Sequence, residues 1–492
     1  MPESQPPKRR WYHLTPDRFL LALLPILGLL FLSERYRWFA FNEHRSWTVL
    51  IAAAVVCVAV GFLLLWFGVS LVSRLRFQFG IRSMLVFVAV VAVMCSWFSL
   101  KMQQTRRQRE AVAAIEKEGG AVSYDDERAY KLGVNGKILS GASGSPGPAW
   151  LQNLVGVDFL SNVKLLNYAQ IGKDGRVYYT QPTDAGLVHL NALPSLQTLG
   201  LAHTQVTDAG LIHVKGLTNL TWLGLNGTQV TDAGLLYLKG LTSLQYLDLA
   251  STQVADAGLV HLKGLMSLRE LCLDKTQVTD AGLVHLKELT NLERLALTRT
   301  QITAAGLMHL KRLTRLKCLE LDDTQVTNAG LMHLEGLTSL EKMDLNNTQI
   351  TDAGLMHLEG LTRLTWLGLA NTQITDAALV RLKGLASLQR LDLTGTQVTD
   401  AGLMHLEGLT SLTWLRFDDT HVTDAGLVYL GALTNLEELW LNYTLVTDAE
   451  LVHLKGLTHL KELWLCGTQV TADGVQELRT ALPNCRINVL AK

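Results

Sequence analysis

Thr204-Gln205-Val206-Thr207-Asp208-Ala209-Gly210-Leu211 returns, nearly unchanged, every 24 residues to the C-terminus. The Thr-Asp-Ala-Gly core stands at Thr183, Thr207, Thr231, Thr279, Thr351, Thr399 and Thr423, with weaker copies starting at Ala255, Thr303, Thr327, Thr375, Thr447 and Thr471. These thirteen copies carry no insertion or deletion. A fixed period of this kind marks a solenoid assembled from one small module.

Each module has two hydrophobic periods. In Leu220-Thr-Trp-Leu223-Gly-Leu225-Asn-Gly-Thr228 the leucines at 223 and 225 alternate with outward residues, which is strand spacing. In Thr231-Asp-Ala-Gly-Leu235-Leu-Tyr-Leu238-Lys-Gly-Leu241 they recur three apart, which is helix spacing. Thr231 suits an N-cap, and Asp232 suits the first turn, where the helix dipole favours a negative charge. One module therefore reads as strand, turn, short helix and return.

Leu-x-x-Leu-x-Leu-x-x-Thr followed by a helix resembles a leucine-rich repeat of the helix-containing kind found in ribonuclease-inhibitor-like and F-box-associated proteins. The resemblance covers about residues 171 to 492. Those families often carry Asn or Cys at the turn after the strand, whereas this chain has Thr at 180, 204, 228 and every 24th residue to 468. A hydroxyl both donates and accepts, so a threonine ladder can satisfy the turn backbone. Strands about 4.8 Å apart stacked beside helices needing roughly 8 to 10 Å must curve. The expected fold is a right-handed α/β solenoid, a horseshoe with a concave parallel β-sheet and convex helices, preceded by transmembrane helices.

Ahead of the repeats the chain changes character. A polar arm, 1–18, carries Lys8, Arg9 and Arg10, and a membrane region, 19–100, contains apolar segments at about 19–33, 48–72 and 84–100. Thr48 to Val72 has no charge over twenty-five residues and is long enough to span a bilayer. The first segment is short, and a signal peptide is its rival, but Ser33-Glu34-Arg35-Tyr36 offers no small-residue cleavage site. Three crossings would place seven Lys and Arg on one side and eight on the other, which does not orient the chain; the extracytoplasmic side is preferred for the repeats. Residues 101–150 comprise a charged helix stopped by Gly119-Gly120, a short strand at Ala121-Val122-Ser123-Tyr124, and a Gly/Ser/Pro linker at 141–148. This order is similar to that of membrane-anchored bacterial leucine-rich-repeat proteins of unassigned function. An N-terminal cap is expected at 151–182, with Val163–Tyr168 and Arg176–Tyr179 as a hairpin around Lys173-Asp174-Gly175. The repeat domain is 183–492, closed by a last strand within Leu482–Val489 whose polar Asn484, Arg486 and Asn488 suit an edge.

With 44 basic against 44 acidic residues, nothing in the net charge argues for nucleic acid. The six cysteines, at 57, 95, 272, 318, 466 and 485, have neither zinc-site nor disulfide-framework spacing. No phosphate loop, nucleophile elbow, metalloprotease or dinucleotide motif is present, so no catalytic step and no cofactor are expected. A histidine column, His189, His213, His261, His285, His309, His333, His357, His405 and His453, occupies one position of the module. Two ring nitrogens on one ion require about 2.0 to 2.1 Å each, while neighbouring helices are roughly 8 to 10 Å apart. The column reads as helix-surface residues copied with the module.

Candidate partner-binding residues come from outward strand positions. Trp222, Trp366, Trp414, Trp440 and Trp464 fall there, the last three on consecutive strands, and Trp440 and Trp464 share a column in which their rings should stack. Large aromatics at a surface favour a contact patch. An acidic group, Glu320, Asp322, Asp323 and Asp344, with Asp418 and Asp419 further along, should repel internally unless a basic partner or a cation relieves it. The same carboxylates disfavour nucleic acid. The expected function is a membrane-anchored scaffold binding a protein or peptide on the concave face. The alternatives are a cell-surface glycan stacked on the tryptophans, or an F-box-like adaptor for protein degradation.

Overall fold

The computed structural model describes residues 81–124, 162–171 and 177–489. They fall into two units, one holding 81–117, 121–124 and 162–166, the other 118–120 and 167 onward. The apolar segments at 19–33 and 48–72, the linker at 141–148 and residues 151–161 of the expected cap lie outside the described residues.

In the first unit one continuous helix, Ile81–Lys117, takes in both the apolar segment at 84–100 and the charged helix expected after it. No proline or glycine interrupts it, so nothing breaks the hydrogen-bond ladder between them. Leu85, Val88, Val93, Phe98 and Leu100 are exposed along its first half, while Ala111, Val112 and Ile115 are buried in its second. Several side chains between 81 and 94 lie outside the described set. Among the described residues no helix is long and apolar enough to cross a membrane. Ala121–Tyr124 and Val163–Asn167, the latter up to Leu166, are neighbouring strands of this unit.

The second unit begins at the glycine stop, where Gly119 takes φ +85°, a left-handed conformation that favours glycine. Its hairpin pairs Ala169–Ile171 with Val177–Tyr179, antiparallel, with Ala169 opposite Tyr179. The first arm thus starts after Tyr168; Val163–Asn167, expected in that arm, is instead a strand of the other unit.

From Thr198–Gly200 to Arg486–Asn488 each module contributes one three-residue strand to a parallel sheet in chain order, for example Trp222–Gly224 beside Tyr246–Asp248. The middle residue of each strand, leucine except for Met343 and Ile487, is buried, and its two neighbours form two registered columns on the open face. Within one module Leu223, Leu225, Val230, Leu235, Leu238, Leu241 and Leu244 are all fully buried. Each such side chain contributes roughly 1.5 to 3 kcal/mol of transfer free energy. The helix is short: one α turn, Asp232–Leu235, followed by a 3-10 turn, Leu236–Leu238. These segments do not single out the ribonuclease-inhibitor-like or F-box-associated kind of repeat.

Two polar devices hold the solenoid, one within each module and one between neighbours. First, the threonine after each strand donates its buried hydroxyl to the carbonyl three residues back, as in Thr228 to Leu225 at 2.6 Å and Thr300 to Leu297 at 2.6 Å. Thr180 departs, donating to the Tyr168 carbonyl at 2.9 Å because its hairpin replaces the preceding strand. Second, the Asp of Thr-Asp-Ala-Gly reaches into the next module. Asp208 Oδ1 accepts from the Thr231 backbone N–H at 2.8 Å, and Oδ2 from the Thr231 hydroxyl at 2.6 Å. The same hydroxyl accepts from the Ala233 N–H at 3.3 Å, so Thr231 is the N-cap. The glycine of the motif makes room for this: a Cβ on Gly234 would run into Asp208 Oδ1. Ala378 and Glu450 are the exceptions; at Ala378 the helical run lengthens to Asp376–Leu382, in keeping with alanine's higher helix propensity.

The latch is missing at one junction. Ala304 stands where Asp is the rule, and Thr327 of the next module caps without a side-chain hydrogen bond, although Gly330 keeps the space open. We predict that Ala304→Asp raises the unfolding free energy of the repeat region in urea by about 1 kcal/mol, and that Asp256→Ala lowers it by about 1 to 3 kcal/mol by orphaning Thr279. An unchanged midpoint in Asp256→Ala, followed by far-ultraviolet circular dichroism, would show the latch to be energetically idle.

Candidate functional site

The open face of the sheet is read most simply as columns. Register places Trp222, Tyr246, Glu270, Arg294, Cys318, Lys342, Trp366, Arg390, Trp414 and Glu438 in one column. Asp248, Cys272, Ala296, Glu320, Asp344, Gly368, Asp392, Arg416, Trp440 and Trp464 form the other. Three zones follow along the stack.

In the N-terminal zone Trp222 stacks on Tyr246, ring centroids 4.9 Å apart and 7° from parallel. Burial, then neighbouring Cys272 and Asp248, raise the Tyr246 phenol well above its ordinary value. Cys272 is buried and likewise raised, and the Cys318 thiol is pushed up to about 12 by burial and then by Glu320. Thiols so far from ionising are not nucleophiles.

The central zone holds the acidic group, and here expectation and structure differ. The repulsion is relieved within the sheet rather than left for a partner. Arg294 Nη2 lies 3.2 Å from both carboxylate oxygens of Glu320, and Lys342 Nζ lies 3.0 Å from Glu320 and 2.9 Å from Asp344. Asp344 is buried and also accepts from the Trp366 indole N–H. Asp323 pairs with Arg299 at 2.9 Å. Asp418, buried too, accepts from Arg416 Nε at 2.5 Å and from the Asn442 N–H at 2.8 Å. Asp344 and Asp418 therefore serve as internal struts. Arg294, Lys342 and Arg416 were legible as column neighbours at the 24-residue period, but a search for clusters of one sign passes over them.

Asp322 is the odd carboxylate. It accepts from Asn346 Nδ2 at 2.6 Å and Thr298 Oγ1 at 3.3 Å, with no cation in contact. Burial, then the Asp344 charge, push its carboxyl up to about 6, against the Asn346 hydrogen bond. Glu320 moves the other way: burial alone would raise it, but Arg294 and Lys342 hold it below the usual carboxylate range.

In the C-terminal zone the indoles meet guanidinium groups. Trp366 and Trp414 stack across the intervening strand with centroids 5.5 Å apart, and the Arg390 guanidinium carbon sits 5.5 Å from the Trp366 ring. Trp440 and Trp464 stack at 4.3 Å and 9° from parallel, and Arg416 covers the other face of Trp440 at 4.9 Å. The Trp464 indole donates to Glu462 at 3.1 Å. All five tryptophans are half-buried by these contacts. The histidines of the helix face are mostly half-exposed, with His357 on Glu335 at 2.6 Å and Asn191 on His213 at 3.2 Å. Among the described residues no group of three or more His, Cys, Asp or Glu is placed to hold a metal ion.

A stacked module carrying one strand and one short helix defines the class: an α/β solenoid. Three stretches of the chain, residues 240–262, 336–358 and 384–406, match the family described as Leucine Rich repeat, which supports leucine-rich repeats as its modules. Among solved structures the chain is similar to an internalin of Listeria monocytogenes str. 4b F2365, with TM-score 0.50 and 25% identity over 65% of this chain and 91% of that one. It is also similar to a leucine-rich-repeat protein of Leptospira interrogans, with TM-score 0.48 and 21% identity over 61% and 74% of the two chains. No curated protein matches it in sequence. Leucine-rich-repeat proteins in general mediate protein–protein interactions.

A carboxyl whose folded value lies above its unfolded one contributes stability below the unfolded value and loses it as pH rises through the folded value. For Asp322 that window runs from 3.8 to about 6. Asp322→Asn should thus raise the urea midpoint at neutral pH and leave it nearly unchanged below 3.8. An equal gain at both pH values would refute the assigned cause.

Proposed function

We propose that the C-terminal zone of the strand face binds a protein or peptide, and that the scaffold is held at a membrane by its N-terminal apolar segments. One observation carries the binding reading: the Trp440–Trp464 stack, half-exposed and flanked by Arg416 on the sheet. Tryptophan and arginine are the residues most enriched where interface energy concentrates, and stacking fixes their rotamers before a partner arrives. The glycan alternative needs a free indole face. Trp440 offers none, because Trp464 covers one side and Arg416 the other. This geometry favours contacts to ring edges and guanidinium N–H groups, which a peptide supplies more readily than a sugar ring. The F-box-like adaptor has no feature of the described residues in its favour.

The anchor is supported by the sequence of the uncharged run Thr48 to Val72 and by the exposed apolar side chains on the first half of Ile81–Lys117. We place the repeats on the extracytoplasmic side and in a bacterial cell.

A random-peptide display library panned on the wild-type chain should enrich binders that a Trp440→Ala plus Trp464→Ala variant loses by about 30-fold or more. Equal enrichment by both proteins would dismiss the tryptophan site, and a glycan array positive only for the wild type would promote the sugar. Protease added to intact cells should clip the repeat region if it lies outside, and alkaline carbonate should fail to extract the chain if it is anchored.

A further inference from the structure

The helix side of the repeat unit carries a feature that peptide binding on the strand face does not use. The residue after each Asp-Ala-Gly-Leu run projects outward: Ile212, Leu236, Val260 and Met308 are 50%, 53%, 39% and 44% exposed, with half-buried Val284 between them. Successive modules place these side chains side by side, so they form a continuous apolar ridge. Three residues on from each stands a lysine: Lys215, Lys239, Lys263, Lys287 and Lys311, all exposed. These segments run as 3-10 turns, Leu236–Leu238 and Val260–Leu262 among them. Positions i and i+3 eclipse in that geometry, which sets each ammonium beside its apolar partner. None of the five lysines has an ion pair among the described salt bridges, and Glu288 nearby is engaged by Arg312 at 2.8 Å. His285 lies between two of them: burial, then the charge of Lys263 and, more weakly, Lys287, lower its pKa, although Asp256 opposes this.

The ridge continues into the C-terminal half through Met332, Met356 and Met404. The charge column does not. Glu335, Glu359 and Glu407 interrupt it, the first two engaged by His357 at 2.6 Å and Arg381 at 3.0 Å, while Lys383 stands singly between Glu359 and Glu407 and Lys455 is paired with Glu477 at 2.9 Å. An unbroken run of apolar ridge residues each with an unpaired lysine is thus found only in the modules nearest in sequence to the apolar N-terminal segments, and Val380 with Lys383 is an isolated instance beyond them.

We propose that the helix face of the N-terminal modules, from Ile212 to Lys311, docks on an anionic lipid surface. The inference rests on the membrane-anchored reading. Large apolar side chains bordered by lysine match the boundary between acyl chains and headgroups, where the ammonium groups stay with the phosphates. A second copy of the chain fits less well. Matching faces would set lysines against lysines, and an antiparallel arrangement would need Glu335 and Glu359, which already have partners.

The full chain is reconstituted in nanodiscs of phosphatidylcholine, with or without a minority of phosphatidylserine, and its surface side chains are mapped by hydroxyl-radical footprinting. Oxidation of Met308 should fall only in the anionic discs, while Met404, on the same ridge without lysines, stays unchanged. Lys239→Gln, Lys263→Gln and Lys287→Gln together remove roughly fivefold in surface partitioning per lysine, about 100-fold in all, and should restore Met308 oxidation. High salt should do the same to the wild type. Equal Met308 oxidation in both lipids overturns the proposal. So does protection of Met308 and Met404 alike that grows with copies per disc, which would identify a second chain as the occupant. If alkaline carbonate strips the chain from bilayers, the anchor reading fails on its own. The ridge is then judged by whether the same chain floats with anionic but not zwitterionic vesicles, and absence of flotation refutes it.

Discussion

The structure depends on how one module holds the next. No single module can bury its leucines alone, so its stability resides largely in junctions with its two neighbours. Those junctions are made of backbone ladders on both edges and of the Asp carboxylate that crosses from one helix start to the next. Leu225 N–H donates to the Asp248 carbonyl at 2.8 Å on the sheet, and Gln253 N–H to the Val230 carbonyl at 3.0 Å on the return. The carboxylate, the N-cap hydroxyl and the absent Cβ of glycine are three parts of one contact. Loss of any part leaves a partly buried polar group without its partner.

That contact fixes the register of the sheet, and the register decides what the open face presents. Because every strand is three residues long and every module the same length, two columns of side chains stand in line across the whole stack. Neighbours in a column are close enough for indoles to stack and for Lys342 to bridge Glu320 and Asp344. The half-buried setting strengthens such pairs and also makes an unpaired charge costly, which is why Asp322 departs from its neighbours. The charged centre thus stiffens the sheet, and the aromatic C-terminal zone is left as the surface with contact area to offer.

Strand and helix faces differ in what they can meet. The strand face is aromatic, and its central acids Glu320 and Asp344 are paired internally. The helix face of the N-terminal modules is apolar and cationic without internal partners. Two surfaces of one solenoid can serve two kinds of contact because the 24-residue period lets each position drift independently while the core leucines stay fixed.

The sequence by itself determined the module, its period, the strand and helix halves, the N-cap threonine and the hydroxyl ladder, because each depends on residues within one repeat length. It also showed that Trp440 and Trp464 share a column, since that follows from counting. Tertiary structure alone decided what those columns do. The reach of Asp208 into the next module, the shielding of Trp440 by Arg416 and the neutralisation of the acids by Arg294 and Lys342 all involve distances between residues of different modules. Pattern fixes which residues face one another; only packing fixes how far apart their charged and aromatic atoms come to rest.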